Sequence, residues 1–173
     1  MNHNTFREVY QLMEKSFPES EFRLFEHQQL LLHNDFYSLH TEQDASDRVT
    51  ALLAGWRLPG FSFIEHLAVD PTLRGGGVGA RMIQRFIRER AADEPIILEV
   101  ELPEEDMAKR RIGFYERLGF HLNPFDYVQP PLREGADELK LLIMSYPSPL
   151  TPQEFKNYRT ILYREVYGVE GMG

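Results

Sequence analysis

The chain has 173 residues, a formal net charge of -8, 42% hydrophobic and 27% charged residues, and no cysteine. That length suits one compact domain whose core needs no disulfide or metal staple, and the composition is globular rather than disordered. The acidic balance argues against a nucleic-acid binder, which needs a basic face to displace counterions; the missing thiols exclude disulfides, a cysteine nucleophile and cysteine metal ligands.

No apolar run reaches the roughly 20 residues that cross a bilayer, and Met1 to Phe6 lacks an apolar signal core. A soluble, cytoplasmic protein is expected, with no membrane contact. Phe6, Val9, Tyr10, Met13 and Phe17 recur at helical spacing and predict an opening amphipathic helix that Pro18 ends. A second helix is expected over Glu21 to Leu32. Strands follow at Phe36 to His40, Arg48 to Trp56 and Ser62 to Val69, separated by polar and Pro-Gly turns. Val78 to Arg90 reads as a helix and Pro95 to Glu101 as a buried strand. Pro103 opens a further helix, with acids in its first turn and Gly119 as its stop. Phe120 to Tyr127 and Leu139 to Tyr146 read as two more strands, and Thr151 to about Tyr167 as a final helix. The order predicts a mixed α/β domain with a partly antiparallel sheet.

The most informative segment joins a strand to a helix: Val69-Asp70-Pro71-Thr72-Leu73-Arg74-Gly75-Gly76-Gly77-Val78-Gly79-Ala80. Unpaired N–H groups at a helix start, together with the dipole, make an anion site. Glycine lets backbone approach a phosphate closely, and Arg74 adds charge. A helix start without a ligand would gain nothing from so many glycines. A P-loop would need Gly-Lys-Ser/Thr, whereas Gly79 precedes Ala80-Arg81. A dinucleotide loop fits the pattern G-x-G-x-x-A from Gly75 to Ala80, with Glu99 about 20 residues on. Against it, the loop comes late, with too little chain left for a doubly wound sheet.

Arg74-x-x-Gly77-x-Gly79 resembles the pyrophosphate loop of the GNAT acetyltransferases, Ile64 to Pro71 resembles the strand before that loop, and Gly113-Phe114-Tyr115-Glu116-Arg117-Leu118-Gly119-Phe120 resembles the family's Tyr-x-x-Leu-Gly-Phe segment. The resemblance covers roughly Arg48 to Tyr146. It implies a mostly antiparallel twisted sheet flanked by helices, over residues 1–150, with 151–173 as an extra helical extension packed on the same domain. It also implies acetyl-CoA as cofactor and an amine of a small molecule or peptide as acceptor; the alternative is a catalytically silent module of that fold that binds acyl-CoA, which a pocket with Glu65 and Glu99 both facing away would favour. Three departures stand out. Met1 to Asn4 is too short for the family's first strand, Ala108 occupies the place of an Asn that binds the cofactor in many members, and the stretch Glu101 to Asp106 is longer than usual.

The resemblance further implies that backbone groups of Leu67, Ala68 and Val69 pair with the pantetheine arm. The loop Arg74, Gly75, Gly76, Gly77, Val78, Gly79 and Ala80 would hold the pyrophosphate, and Tyr115 would sit near the sulfur as proton donor. For the base, Glu99 and Glu65 are carboxylates within apolar strands, costly unless paired or functional; Glu101 shares the face of Glu99. His66 alternates with Glu65, so only one of the two is expected to face a common pocket. Phe114 reads as core, Lys109, Arg110 and Arg111 as a solvated helix face, and Tyr37, Tyr127 and the final helix's aromatics as core or acceptor-pocket lining. No metal is expected, because His27 and His33 show no ligand spacing. A homodimer stays open as the common default for soluble oligomers.

Overall fold

A computed structural model describes residues 1–170. The helices are α1 (His3–Ser16), α2 (Phe25–Leu30), α3 (Val78–Glu89), α4 (Asp106–Arg117) and α5 (Pro152–Glu165). The strands are β1 (Tyr37–Gln43), β2 (Val49–Leu58), β3 (Phe61–Val69), β4 (Ile96–Val100), β5 (His121–Leu122), β6 (Tyr127–Gln129) and β7 (Leu139–Tyr146). They form one sheet in the order β1-β2-β3-β4-β7-β5, with β6 also on β7. Every pairing is antiparallel except β3 with β4. A single parallel crossover, through α3, does not make a doubly wound sheet, so the dinucleotide topology is excluded. No strand precedes α1 among the described residues.

Alternation along the strands divides the core. On one face Ala54, Trp56, Phe61, Phe63, Ile97 and Ile143 pack with Phe155, Leu162 and Tyr163 of α5, while Leu52 and Ala68 pack under Val9, Leu12 and Met13 of α1. On the other face Leu53, Ile64, Leu98 and Met144 pack against Met82, Ile83 and Phe86 of α3 and Ile112 and Tyr115 of α4. Gly55 permits this closeness: a Cβ there would lie 2.5 Å from Phe86 Cε2.

Several elements differ from the sequence expectation, each for a local reason. The helix expected over Glu21 to Leu32 is interrupted, because Phe22 is extended and turns Arg23 inward. Pro103 does not open α4; a tight turn from Glu104 N–H to the Leu102 carbonyl (2.7 Å) delays the helix to Asp106. The strand expected over Phe120 to Tyr127 breaks into β5 and β6. Pro124 lacks a donor, and the buried Asn123 spends its amide on the Ile143 carbonyl (3.1 Å) and Ser145 Oγ (2.9 Å). The final helix starts as expected, on a capping box between Thr151 and Glu154.

Candidate active site

The β3–β4 ladder pairs Ser62 with Ile96, Phe63 with Ile97 and Ile64 with Leu98, and then stops although both strands continue. At the same level β3 carries a bulge: Ala54 pairs with His66 and Gly55 with Ile64, which leaves Glu65 as the extra residue. A bulge breaks the two-residue alternation. Glu65 and His66 therefore both lie on the α1/α5 face, one beside Trp56 and the other opposite Ala54. This corrects the expectation that only one of them faces a common pocket. Between the parted strands is a cavity of about 70 Å³, lined among others by Glu21, Glu65, His66, Glu99, Glu101, Arg111, Tyr115 and Gln129.

Glu99 is held on this face by three donors. Tyr127 O–H donates to Oε2, Tyr167 O–H to Oε1 at 2.6 Å, and Gln129 Nε2 to Oε1 at 3.3 Å. Gln129 also donates to the Tyr167 oxygen at 3.1 Å. Burial pushes the Glu99 carboxyl up to about 7, against the lowering effect of the tyrosine hydrogen bonds, and the negative charge of Glu65 adds to the rise. Tyr127 and Tyr167 are pushed far above the usual phenol range by burial and by the Glu99 charge, so both keep their protons and act as donors.

Glu65 has the opposite character. Its side chain is 1% exposed, Arg23 Nη1 lies 2.9 Å from Oε2, and Trp56 Nε1–H donates to Oε1 at 2.9 Å. Burial alone would raise its carboxyl, but Arg23, His66 and Trp56 prevail and hold it below the usual range. Arg23 also donates to the Val166 carbonyl at 3.1 Å. This arrangement suits a fixed anion, not a group that exchanges a proton near neutrality. His66 bonds through Nε2 to the Glu21 carbonyl at 2.7 Å and packs on Phe17. Its burial lowers its pKa despite the nearby Glu65.

Tyr115 reaches the cavity from the opposite face, off α4, between Phe114 and Phe120. Burial pushes its phenol up to about 12, with Arg111 opposing. Phe114, expected as core, is only half-buried and lines the adjoining groove, whereas Tyr115 is the buried neighbour. Arg111, expected on a solvated face, lines both cavity and groove and lies 3.9 Å from Glu101.

The groove is about 480 Å³ and runs past Leu67, Ala68, Val69, Arg74, Gly75, Gly77, Val78, Gly79 and Ala80. Gly77 stands at the N-cap of α3 with φ 77°, a left-handed conformation that glycine adopts without strain, and no side chain caps the helix. The first-turn N–H groups of α3 thus face the groove side uncapped, which is the donor set a diphosphate needs. Gly76 does not line the groove; its carbonyl accepts from Arg81 Nη1 at 2.9 Å. Ala108, at the place of the cofactor-binding Asn, is buried in α4. No group of three or more His, Asp or Glu positioned to hold a metal is found among the described residues.

Arg23 and Gln129 were not among the residues the sequence singled out, and Tyr127 and the final helix's aromatics were expected as core or acceptor-pocket lining, not as partners of Glu99. A signal for Arg23 existed: it is a lone charge inside Phe22-Arg23-Leu24-Phe25. Gln129 had none.

Three comparisons bear on the chain. The family model described as Acetyltransferase (GNAT) family matches residues 4–120. YjbC of Bacillus subtilis (strain 168), assigned by name to the acetyltransferases, is 27% identical over 148 residues, 84% of this chain and 72% of that one. Among solved structures, a protein of Bacteroides thetaiotaomicron assigned to the GNAT family superposes with a TM-score of 0.85 at 34% identity, covering 96% of this chain and 94% of its own. An aminoglycoside 6'-N-acetyltransferase complexed with coenzyme A shares the fold, with a TM-score of 0.62 at 16% identity, covering 87% of this chain and 94% of its own.

Proposed function

The chain belongs to the acetyltransferase (GNAT) family, and on that premise we propose that Glu99 and Tyr115 serve the acetyl transfer as base and acid. The reaction class is that of the family: an acetyl group passes from acetyl-CoA to a primary amine. When bound, acetyl-CoA supplies an acyl thioester activated toward attack and a thiolate as leaving group. The remaining chemistry is the chain's own.

The observation that carries the reading is a buried carboxylate, Glu99, held by two phenol hydrogen bonds on the wall of the same cavity that Tyr115 reaches from the opposite face; burial raises the carboxyl to about 7 and the Tyr115 phenol to about 12. A base works best when its pKa lies near the working pH. Glu99 meets that condition, whereas Glu65 is held by Arg23 as a standing anion. Glu99 takes the proton of the incoming ammonium, directly or through water, for which a cavity of about 70 Å³ has room. Tyr115 keeps a transferable proton at neutral pH, as the acid of such a reaction requires. The backbone of Leu67 to Val69 and the uncapped start of α3 would hold the cofactor's arm and diphosphate, with Arg74 adding charge. Because Glu65 and Glu99 share one cavity, the alternative of a silent acyl-CoA-binding module is not favoured.

We read the acceptor as a cationic amine of a small molecule or peptide, supported by the carboxylates of Glu21, Glu65, Glu99 and Glu101 around a cavity with one guanidinium, that of Arg111. A cytoplasmic location completes the reading, supported by the thiol-free composition; no described helix is long and apolar enough to cross a membrane.

The test has two stages. Melting with CoA, acetyl-CoA and NAD, on wild type and Gly77→Glu, reads cofactor binding as a rise in Tm. Acetyl-CoA should raise Tm in the wild type and not in the variant, and NAD in neither. Thiol release is then followed with a thiol reagent against a polyamine, an amino sugar, a lysine-bearing peptide and a free peptide N-terminus; the cysteine-free chain gives no background. No Tm rise with either CoA species, or no thiol release with any amine, would overturn the reading.

A further inference from the structure

Both tyrosines that hold Glu99 lie outside the part of the chain the family model matches, residues 4–120. Tyr127 is the first residue of β6, and Tyr167 lies two residues past the end of α5. Packing fixes the path of the chain through residues 162–169. Leu162, Tyr163 and Val166 are buried in the α5-side core. The helix end closes through Val166 N–H to the Leu162 carbonyl (2.9 Å) and Val169 N–H to the Tyr163 carbonyl (2.8 Å), across Gly168 at φ 66°. The same turn presents the Val166 carbonyl to Arg23, which pairs with Glu65. One turn of chain thus reaches two of the cavity's four carboxylates, Glu99 directly and Glu65 through Arg23.

We propose that the turn after α5, residues 166–169, is a working part of the active site, with Tyr167 as a positioning residue that orients the Glu99 carboxylate and supports its ionised form. The inference rests on the reading of Glu99 as base. A carboxylate that accepts two phenol hydrogen bonds is fixed in direction and stabilised as an anion. Without Tyr167, Oε1 keeps only the longer bond from Gln129. Charged and titratable groups face Glu99 from each surrounding element: Tyr127 on β6, Tyr163 on α5, Glu65 on β3 with Arg23 behind it, and Glu21, His66, Glu101, Arg111 and Tyr115 around the cavity. Among the described residues only Tyr127 and Tyr167 donate a phenol proton to it.

The test uses the full chain carrying Tyr167→Phe, with Tyr163→Phe as control. The control removes a hydroxyl from the adjoining last turn of α5, but one that bonds the Val128 carbonyl instead of Glu99. Glu99 is titrated without ligands by carboxyl carbon NMR, assigned through Glu99→Gln, and kcat/KM is followed against pH for acetyl-CoA with an amine that passes the screen. The expected result is a Glu99 titration moved up by about one pH unit in Tyr167→Phe, a matching move of the acidic limb of kcat/KM, and neither change in Tyr163→Phe. Tyr127→Phe, which strips the other oxygen, should move the titration with the same sign and serves if Tyr167→Phe does not fold. A Glu99 titration unmoved in Tyr167→Phe, with stability lowered as in the control, overturns the positioning role. Full activity in Glu99→Gln overturns instead the base assignment, a separate result.

Discussion

Replacing Arg23 with methionine isolates the buried ion pair. In the native chain the two side chains are 8% and 1% exposed and meet at 2.9 Å. Removing the cation leaves Glu65 buried with Trp56 as its remaining partner and takes a donor from the Val166 carbonyl. Breaking such a pair from one side costs about 3–5 kcal/mol, a large share of the roughly 5–15 kcal/mol that holds a domain together. Tm should fall by about 10 °C. The pH dependence carries the sign of the argument. In the wild type, Glu65 is held below its ordinary value, so its contribution is present above that value and lost as pH falls through the folded one. In Arg23→Met, burial acts without the guanidinium and the Glu65 pKa rises. Protonation then relieves the variant, so the penalty is largest at neutral pH and shrinks toward pH 5. Urea denaturation followed by circular dichroism at pH 8, 7, 6 and 5 measures it, and Arg23→Met/Glu65→Leu should recover most of the loss. A penalty under about 1 kcal/mol, or one flat with pH, would refute the reasoning.

What the sequence made legible follows from the range of the forces involved. Helical spacing from Phe6 to Phe17, the apolar run before Asp70-Pro71 and the glycines from 75 to 79 are local patterns, and α1, β3 and the start of α3 lie where those patterns put them. Glu99 was visible as a charge within Ile-Ile-Leu-Glu-Val. The bulge at Glu65 was not, because the extra residue is defined by what β2 pairs with. It alone brings Glu65 and His66 to one face. Arg23 was hidden inside the helix expected over Glu21 to Leu32, and only tertiary packing of Phe22 against Tyr10 and Arg133 shows why the chain extends there. Tyr127 and Tyr167 meet Glu99 across 28 and 68 residues of sequence, a separation at which periodicity carries no information.

Gly77→Ala forces a Cβ onto φ 77° and 3.3 Å from Arg81 Nη1; it should cost about 1 kcal/mol by thermal melting and weaken CoA binding by calorimetry, and unchanged affinity would remove the loop from the cofactor site. Tyr115→Phe should lower kcat at least about tenfold with KM little changed, since the proton is needed only as the reaction proceeds; a KM effect alone would make Tyr115 a packing residue. Glu99→Gln should lower kcat/KM about 100-fold or more at pH 8 and abolish the acidic limb near pH 7. The same substitution should stabilise the fold. A carboxyl raised from 4.5 to about 7 means the native chain binds more protons than the unfolded one between those values, so its stability falls as pH rises through that window. At 1.36 kcal/mol per pH unit the loss approaches about 3 kcal/mol. Glutamine carries no such loss, so by urea denaturation Glu99→Gln should match the wild type near pH 4.5 and exceed it at pH 8. Parallel curves across that range would mean that Glu99 is not held near neutrality, and the choice of Glu99 over Glu65 as base would lose its physical ground.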